Sequence, residues 1–259
     1  MKKVFALSIG LLLLASCEQD TIVSETEGIN VDQSSLTRGA KVDVCHNGRI
    51  INVSVNALGG HQGHGDAIDM DGDGYFDIEN DCSDTDCDDT NAEVNENCVG
   101  DLRDGGVVFW VDSTGLHGLV CAFSDYESRV AWGCFGTDLP SVPNVQTFPL
   151  PSGLGAEIGD GITNTNGILS ATDCPEAPAA LAARSYGPEW FLPSINELNE
   201  MYVNKADLEA VPGFAPFEGV YWSSTEHSRF QAWWQFFNVG FQRTTLKLSP
   251  VYVRAVRAF

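Results

Sequence analysis

Between residues 101 and 259 the apolar positions come in short compact runs. "GGVVFW" (105–110) and "GLVCAF" (118–123), separated by "VDSTGLHG", predict a hairpin of two buried strands, with Cys121 inside the second. Residues 136–170 are rich in Gly, Pro, Asn and Thr and predict a long loop. A helix is then expected from near Asp173, with Pro175 in its first turn, through "EAPAALAARSY" to Gly187. A second opens at Ser194, whose partner Glu197 three residues on completes a capping-box pattern. Its Ile195, Leu198, Met201 and Tyr202 fall at helical spacing and predict one buried stripe. From Gly213 the pattern is β and loop to the end, and upstream "RIINVSV" (49–55) alternates as a strand does. Strands, two helices, then more strands is an α+β arrangement, and 159 residues suffice for one core.

The segment "YWSSTEHSRFQAWWQFFNVGFQRTTLKLSPVYVRAVRAF", from Tyr221 to Phe259, breaks the simple pattern. With "AWWQFFNVGF" as a strand, Trp233, Gln235, Phe237 and Val239 share one face, and Trp234, Phe236 and Asn238 the other. Phe230, Phe241 and Leu246 stand beside Arg229, Arg243 and Lys247 with no core period. Either Trp234 and Phe236 belong to a sheet buried on both faces, or they stand on a surface where aromatics and arginines anchor a partner. The surface reading accounts better for the basic and apolar reach of residues 243–249. In the closing "YVRAVRAF", Val253 and Ala255 alternate against Arg254 and Val256, with Phe259 on the first of those faces.

"MKKVFALSIGLLLLASC" has a basic start at Lys2 and Lys3, and its apolar run is too short for a stop-transfer helix. Its ending resembles a bacterial lipobox. That resemblance implies a signal peptide over 1–16, lipidation of Cys17 and a membrane partner through acyl chains, the alternative being an ordinary secretory signal with a nearby cleavage site. The acidic "EQD" after Cys17 resembles surface-export signals of Bacteroidetes lipoproteins, which implies an outer-membrane, cell-surface location. Residues 17–40 are polar and without period, and read as a tether. Without Lys2 and Lys3 the remaining 12 basic and 36 acidic residues give a net charge of −24, which argues against a nucleic-acid partner.

Fourteen of those carboxylates lie from Asp66 to Asp101, a stretch without Lys or Arg, so it either stays disordered or collects cations. In "DMDGDGYFD", Asp69, Asp71 and Asp73 take positions 1, 3 and 5 of a calcium loop; Gly74, Tyr75 and Asp77 take positions 6, 7 and 9. Position 12 is Asn80, followed by Asp81, which departs from the EF-hand. Residues 67–100 more closely resemble thrombospondin type 3 and MopE-type acidic repeats. Calcium is the expected cofactor, held by Asp69, Asp71, Asp73, the Tyr75 carbonyl, Asp77 and Asp81. Asp84, Asp86, Asp88 and Asp89 complete that site or build a second.

Seven cysteines besides Cys17 leave at least one thiol unpaired. Spacing favours Cys87 with Cys98, then Cys134 with Cys174, then Cys45 with Cys82. Over residues 41–66, Cys45, His46, His61 and His64 make either a metal site or a disulfide-stapled structural module.

"GGVVFWVDSTGLHGLVCA", "WGC", "WFLPSINELNEMY", "YWSSTE", "AW" with Phe237 and Gly240, and "YVRAVRAF" together resemble the Lcl C-terminal domain family, found with related domains in Bacteroidetes lipoproteins. The resemblance spans most of 101–259. It implies a C-type-lectin-like fold and a protein or carbohydrate ligand rather than catalysis. It also makes Trp233, Phe237, Gly240 and "VRAVRAF" framework. Positions often Asn in such domains are here Phe230, Gln231, Trp234, Phe236, Val239, Phe241, Arg243, Thr244, Thr245, Leu246 and Leu248. That substitution pattern resembles the variable region of a diversity-generating retroelement target. The expected ligand-binding residues are Arg229, Phe230, Trp234, Phe236, Val239, Phe241, Arg243, Thr245 and Lys247. Alternatives are a fixed polysaccharide adhesin or a glycan-active enzyme; for the enzyme the candidates are Asp173, Glu197, Glu226 and His227, with no nucleophile elbow or catalytic triad pattern.

Overall fold

The computed structural model describes residues 40–78, 80–83, 85–87, 89–92, 97–174 and 176–259. Cys17, the tether, Asp84, Asp88 and Pro175 lie outside the described residues.

The first sheet is antiparallel, in the order β2–β1–β3: β1 is Lys41–Cys45, β2 is Ile50–Ser54 and β3 is Ala67–Asp69. A short helix, α1 (Leu58–Gln62), joins β2 to β3 and buries Leu58. The hairpin expected from "GGVVFW" and "GLVCAF" forms as β5 (Gly106–Val111) and β6 (Gly118–Cys121). With β4 (Leu102–Arg103) and β10 (Val256–Ala258) it builds a four-stranded sheet in the order β10–β6–β5–β4. Both faces of this hairpin are buried, which is why its strands read as continuous apolar runs. Val107, Phe109, Leu119 and Cys121 pack with Leu198, Met201 and Leu208, whereas Val108 and Val120 pack with Trp132, Ala182 and Ala183. The third sheet, β7–β8–β9, holds Val220–Ser228, Gln231–Phe236 and Phe241–Leu246 in antiparallel register. The described residues from 40 onward belong to one compact α+β unit.

The capping box forms as expected. Ser194 Oγ accepts from Glu197 N and the Glu197 carboxylate accepts from Ser194 N, opening α4 (Ile195–Val203). Ile195, Leu198 and Met201 are buried and Tyr202 is partly so. A further short helix, α5 (Lys205–Ala210), follows directly.

Two helical expectations need correction. Within the supposed loop 136–170 lies α2 (Asp160–Ser170). Its "NTNG" centre has poor helix propensity, and tertiary polar packing supplies what propensity lacks. Asn164 donates to Gly155 O at 2.8 Å and Ser224 Oγ at 3.2 Å, and Thr165 Oγ1 exchanges hydrogen bonds with Leu192. The following helix, α3 (Pro178–Arg184), starts at Pro178 rather than near Asp173: Ala177 before it is non-helical (φ −128°, ψ 63°), and Pro178 itself takes the first helical position. Closing the chain, Arg254 is buried along with Val253, Ala255 and Val256, so "YVRAVRAF" has no solvent-facing alternation over those four. Arg254 Nε donates to Asp125 at 2.6 Å, its other nitrogens donate to Ala122 O and Ala215 O, and its guanidinium lies over Phe214 and Phe217.

All three disulfides occur at the expected pairs, Cys45–Cys82, Cys87–Cys98 and Cys134–Cys174, and Cys121 is the buried free thiol. Burial pushes that thiol up to about 12, so it is inert at neutral pH.

Candidate functional site

On β8 the pleat divides the aromatics as the sequence predicts. Trp233 and Gln235 face inward and are fully buried, while Trp234 and Phe236 on the opposite face are half-buried. The register sets Trp234 opposite Arg243 and Phe236 opposite Phe241 on β9, so these four share the outer face. Phe241 is 58% exposed and Arg243 is exposed, its guanidinium 5.6 Å from the Phe241 ring centre. At the β7–β8 turn the Arg229 guanidinium sits 4.5 Å from the ring centre of exposed Phe230, and Phe230 packs against Phe135. Phe135, itself exposed, carried no signal in the local pattern. The β8–β9 turn exposes Val239; Leu246 at the end of β9 and Leu248 just past it are exposed too.

Gly240 explains why the turn can close there. Its φ is +76°, and a Cβ would lie 2.5 Å from the Tyr202 ring of α4. On the inner face, Gln242 bridges Ile195 O and Gln235 Oε1, and Gln235 donates to Asn199. The frame thus holds the strands to α4 by buried polar contacts on the inner face; on the outer face Ala232 is buried and Trp234 leans on the core, while Phe241 and Arg243 stand exposed.

Next to Trp234 is a cavity of about 290 Å³, lined by Arg129, Val220, Trp234, Thr245, Pro250 and Tyr252 among others. The Arg129 guanidinium lies 4.2 Å from the Tyr252 ring centre. Trp234 Nε1 is out of solvent and has no hydrogen-bond partner among the described residues. An indole N–H left unpaired is costly unless something arrives to accept it.

Lys247 is not on this face, which corrects its expected ligand-binding place. Its side chain has 0% exposure and pairs with Glu226, which is equally buried. Nζ also donates to Thr137 O at 3.1 Å and lies 4.5 Å from the Trp132 ring centre. The physical reason is the segment 136–145, which folds over the end of β9: Leu139 N donates to the Glu226 carboxylate and Val145 N to Glu226 O. Burial pushes Glu226 up, to about 7, and Lys247 down; their mutual attraction opposes both shifts.

The other carboxylates considered for catalysis do not converge. Asp173 is exposed. Glu197 is buried and accepts from Ser194 N, Gly159 N and Gly161 N, holding α2 to α4. Burial raises it to about 7 against those three bonds. His227 lies edge-on to Phe148 and Trp233, and burial lowers its pKa.

The acidic loop brings together Asp69, Asp71 and Asp73, with one oxygen of each within 4.8 Å of the others. Asp69 accepts from Gly72 N at 2.6 Å and Gly74 N at 3.0 Å, which curls the loop. Asp71 Oδ2 and Asp73 Oδ2 are buried and lack hydrogen-bond partners among the described residues. Burial, then the charge of Asp73, raises Asp71 to about 6, and burial raises Asp89 to about 7. Crowded carboxylates in that state suit a cation. Asp77 accepts from Ile68 N, and Asp89 from Met70 N. Asp86 and Asp89 approach because Phe76 and Thr85 form a bridge. Asp81 is outside the three-carboxylate cluster: it is exposed and lies against Gly48, because neighbouring Cys82 is drawn to Cys45. The Tyr75 N–H donates to the Asp73 carboxylate at 2.8 Å, which places Tyr75 beside the cluster.

Among the described residues no helix is long and apolar enough to cross a membrane. No protein-family model matches the chain, and no curated protein matches it.

Proposed function

We propose that this is an exported, lipid-anchored protein of the outer-membrane surface. Its 101–259 domain, C-type-lectin-like in kind, binds a protein or glycan ligand through the outer face of β8 and β9. One observation carries this reading. The eleven positions expected to vary, Phe230, Gln231, Trp234, Phe236, Val239, Phe241, Arg243, Thr244, Thr245, Leu246 and Leu248, are all exposed or partly exposed. Of the intervening residues, Ala232, Trp233, Gln235, Phe237, Gln242 and Lys247 are buried, while Asn238 in the β8–β9 turn is exposed and Gly240 partly so. A frame whose side chains are fixed and whose outward positions are unconstrained can change its partner without changing its fold. Aromatics and arginine at those positions offer large contact area with few torsions to freeze.

Calcium held by Asp69, Asp71 and Asp73 stiffens the spacer that carries the domain; the two unpartnered carboxylate oxygens support this assignment. Three disulfides suit an oxidising, extracytoplasmic setting.

Sequencing the gene's 3′ end across many cells of one lineage tests diversification. Substitutions confined to adenine-derived codons at the eleven positions support it. Variation spread evenly over buried and exposed positions, or no nearby reverse transcriptase and template copy, refutes it. The second reading, a fixed polysaccharide adhesin, is favoured by the Trp234 cavity, whose lining brings the Trp234 indole, with its unpaired N–H, together with Arg129, which offers charge to an anionic sugar.

A further inference from the structure

The 41–69 module carries a side-chain cluster that neither the ligand face nor the acidic loop uses. The last pair between β1 and β3 is Cys45 with Ala67. The next residues out, His46 and Asp66, therefore face each other across the two strands. The α1 helix delivers His61 from a third direction, and a tight turn fixes it: His64 N and Asp66 N both donate to His61 O, at 2.9 and 3.1 Å. His46 is held by reciprocal backbone bonds with Arg49, and its neighbour Cys45 by the bridge to Cys82. Both imidazoles aim the same nitrogen at the same oxygen: His46 Nδ1 lies 2.7 Å and His61 Nδ1 2.8 Å from Asp66 Oδ2. The two rings stand 83° apart.

We propose that His46, His61 and Asp66 form a binding site for a divalent transition metal of the zinc class. Two imidazole nitrogens and a carboxylate oxygen are a borderline donor set that suits zinc, copper or nickel and not calcium, which takes oxygen ligands. All three donor atoms lie within 4.8 Å of one another. Zinc bonds of about 2.0–2.2 Å place tetrahedral neighbours roughly 3.4 Å apart, so the two hydrogen bonds need to open by well under ~1 Å to admit the ion. The side chains of His46, His61 and Asp66 are 37%, 21% and 10% exposed, leaving an entry path and a fourth position for water or for His64, whose ring lies 6.4 Å from that of His46. Cys45, grouped with these histidines on sequence grounds, is spent in its disulfide and is not a ligand. A module this small gains from a second staple besides that bridge.

The competing structure is an apo cluster in which Asp66 merely accepts two N–H bonds. Titration of the chelator-stripped protein with zinc, and with cobalt as a spectroscopic probe, separates the two, with calcium kept saturating throughout. The expected result is one equivalent of zinc bound and a cobalt d–d band showing imidazole coordination. Both are weakened more than about 100-fold in His61→Ala and Asp66→Ala. His61→Gln is the decisive variant: its amide keeps a hydrogen-bond donor for Asp66 but is a poor ligand. Loss of zinc in His61→Gln, with the Cys45–Cys82 bridge intact by mass spectrometry, supports the site. No uptake with zinc in excess, uptake unchanged in His61→Gln, or uptake abolished instead by Asp71→Asn overturns it.

Discussion

Replacing Lys247 by Ala separates a structural lysine from a ligand-binding one. In the wild type its ammonium is wholly buried against the Glu226 carboxylate, donates to Thr137 O and lies beside Trp132. The attraction of such a pair at about 3 Å and an effective dielectric near 20 is roughly 5 kcal/mol. The bond to Thr137 adds about 1 kcal/mol. Removing Lys247 also removes the cost of keeping an ammonium dry, and Glu226, already pushed up to about 7 by burial, takes a proton and so caps the penalty. The net expectation is a loss of about 3–5 kcal/mol, the usual range for breaking one side of a buried pair. For a domain of this size that is roughly 10 °C in Tm. The double variant Glu226→Gln with Lys247→Met should recover most of the loss, because it leaves no uncompensated charge. Urea denaturation and calorimetry of the three proteins provide the assay. A Lys247→Ala variant within about 0.5 kcal/mol of wild type, the range of ordinary surface changes, would refute the buried pair and return Lys247 to the surface.

Glu197 gives a pH signature. Its folded pKa is raised from 4.5 to about 7 by burial, so the folded state holds the proton more tightly than the unfolded state. Its contribution is therefore full below about pH 4.5 and is lost as pH rises through about 7; the linked free energy is on the order of 3 kcal/mol. Glu197→Gln should flatten that part of a stability–pH profile measured by denaturation, and an unchanged slope contradicts the assignment. If the proposed calcium assignment holds, calcium at about 100-fold excess over its Kd should stabilise the acidic loop by about 2.7 kcal/mol. Chelation should then expose the 69–89 segment to proteolysis, and Asp71→Asn should remove the calcium response; protection that is the same with and without calcium speaks against an ion there.

The elements that the sequence disclosed are those set by local signals. The β5–β6 hairpin follows from two apolar runs and a turn, and α4 from its capping box. The three disulfides followed the spacing. The division of Trp233 from Trp234 follows from the two-residue period of a strand. What stayed hidden depends on partners distant in sequence. The helix α2 owes its place to Asn164 and Thr165 bonding residues as far away as Leu192 and Ser224. Lys247 and Arg254 look like surface charges until Glu226 and Asp125 are found opposite them. The acidic spacing located Asp69, Asp71 and Asp73, but placing Asp81 required knowing where Cys82 is tied. Likewise Asp66 reads as one acid among many until β1 and β3 pair and set it against His46.

The binding face itself is tested most directly by changing Trp234, Phe236, Phe241 and Arg243 together to Asn and probing the wild type and the variant against the same panel of polysaccharides and cell-surface ectodomains. Because Phe241 and Arg243 are exposed and Trp234 and Phe236 are only half-buried, the variant should stay folded, with a modest drop in unfolding temperature from the contact Trp234 makes with the core, while losing whatever ligand the wild type retains. A variant that keeps wild-type binding, or that collapses for want of those four side chains, would place recognition elsewhere and make the outer face of β8 and β9 part of the core.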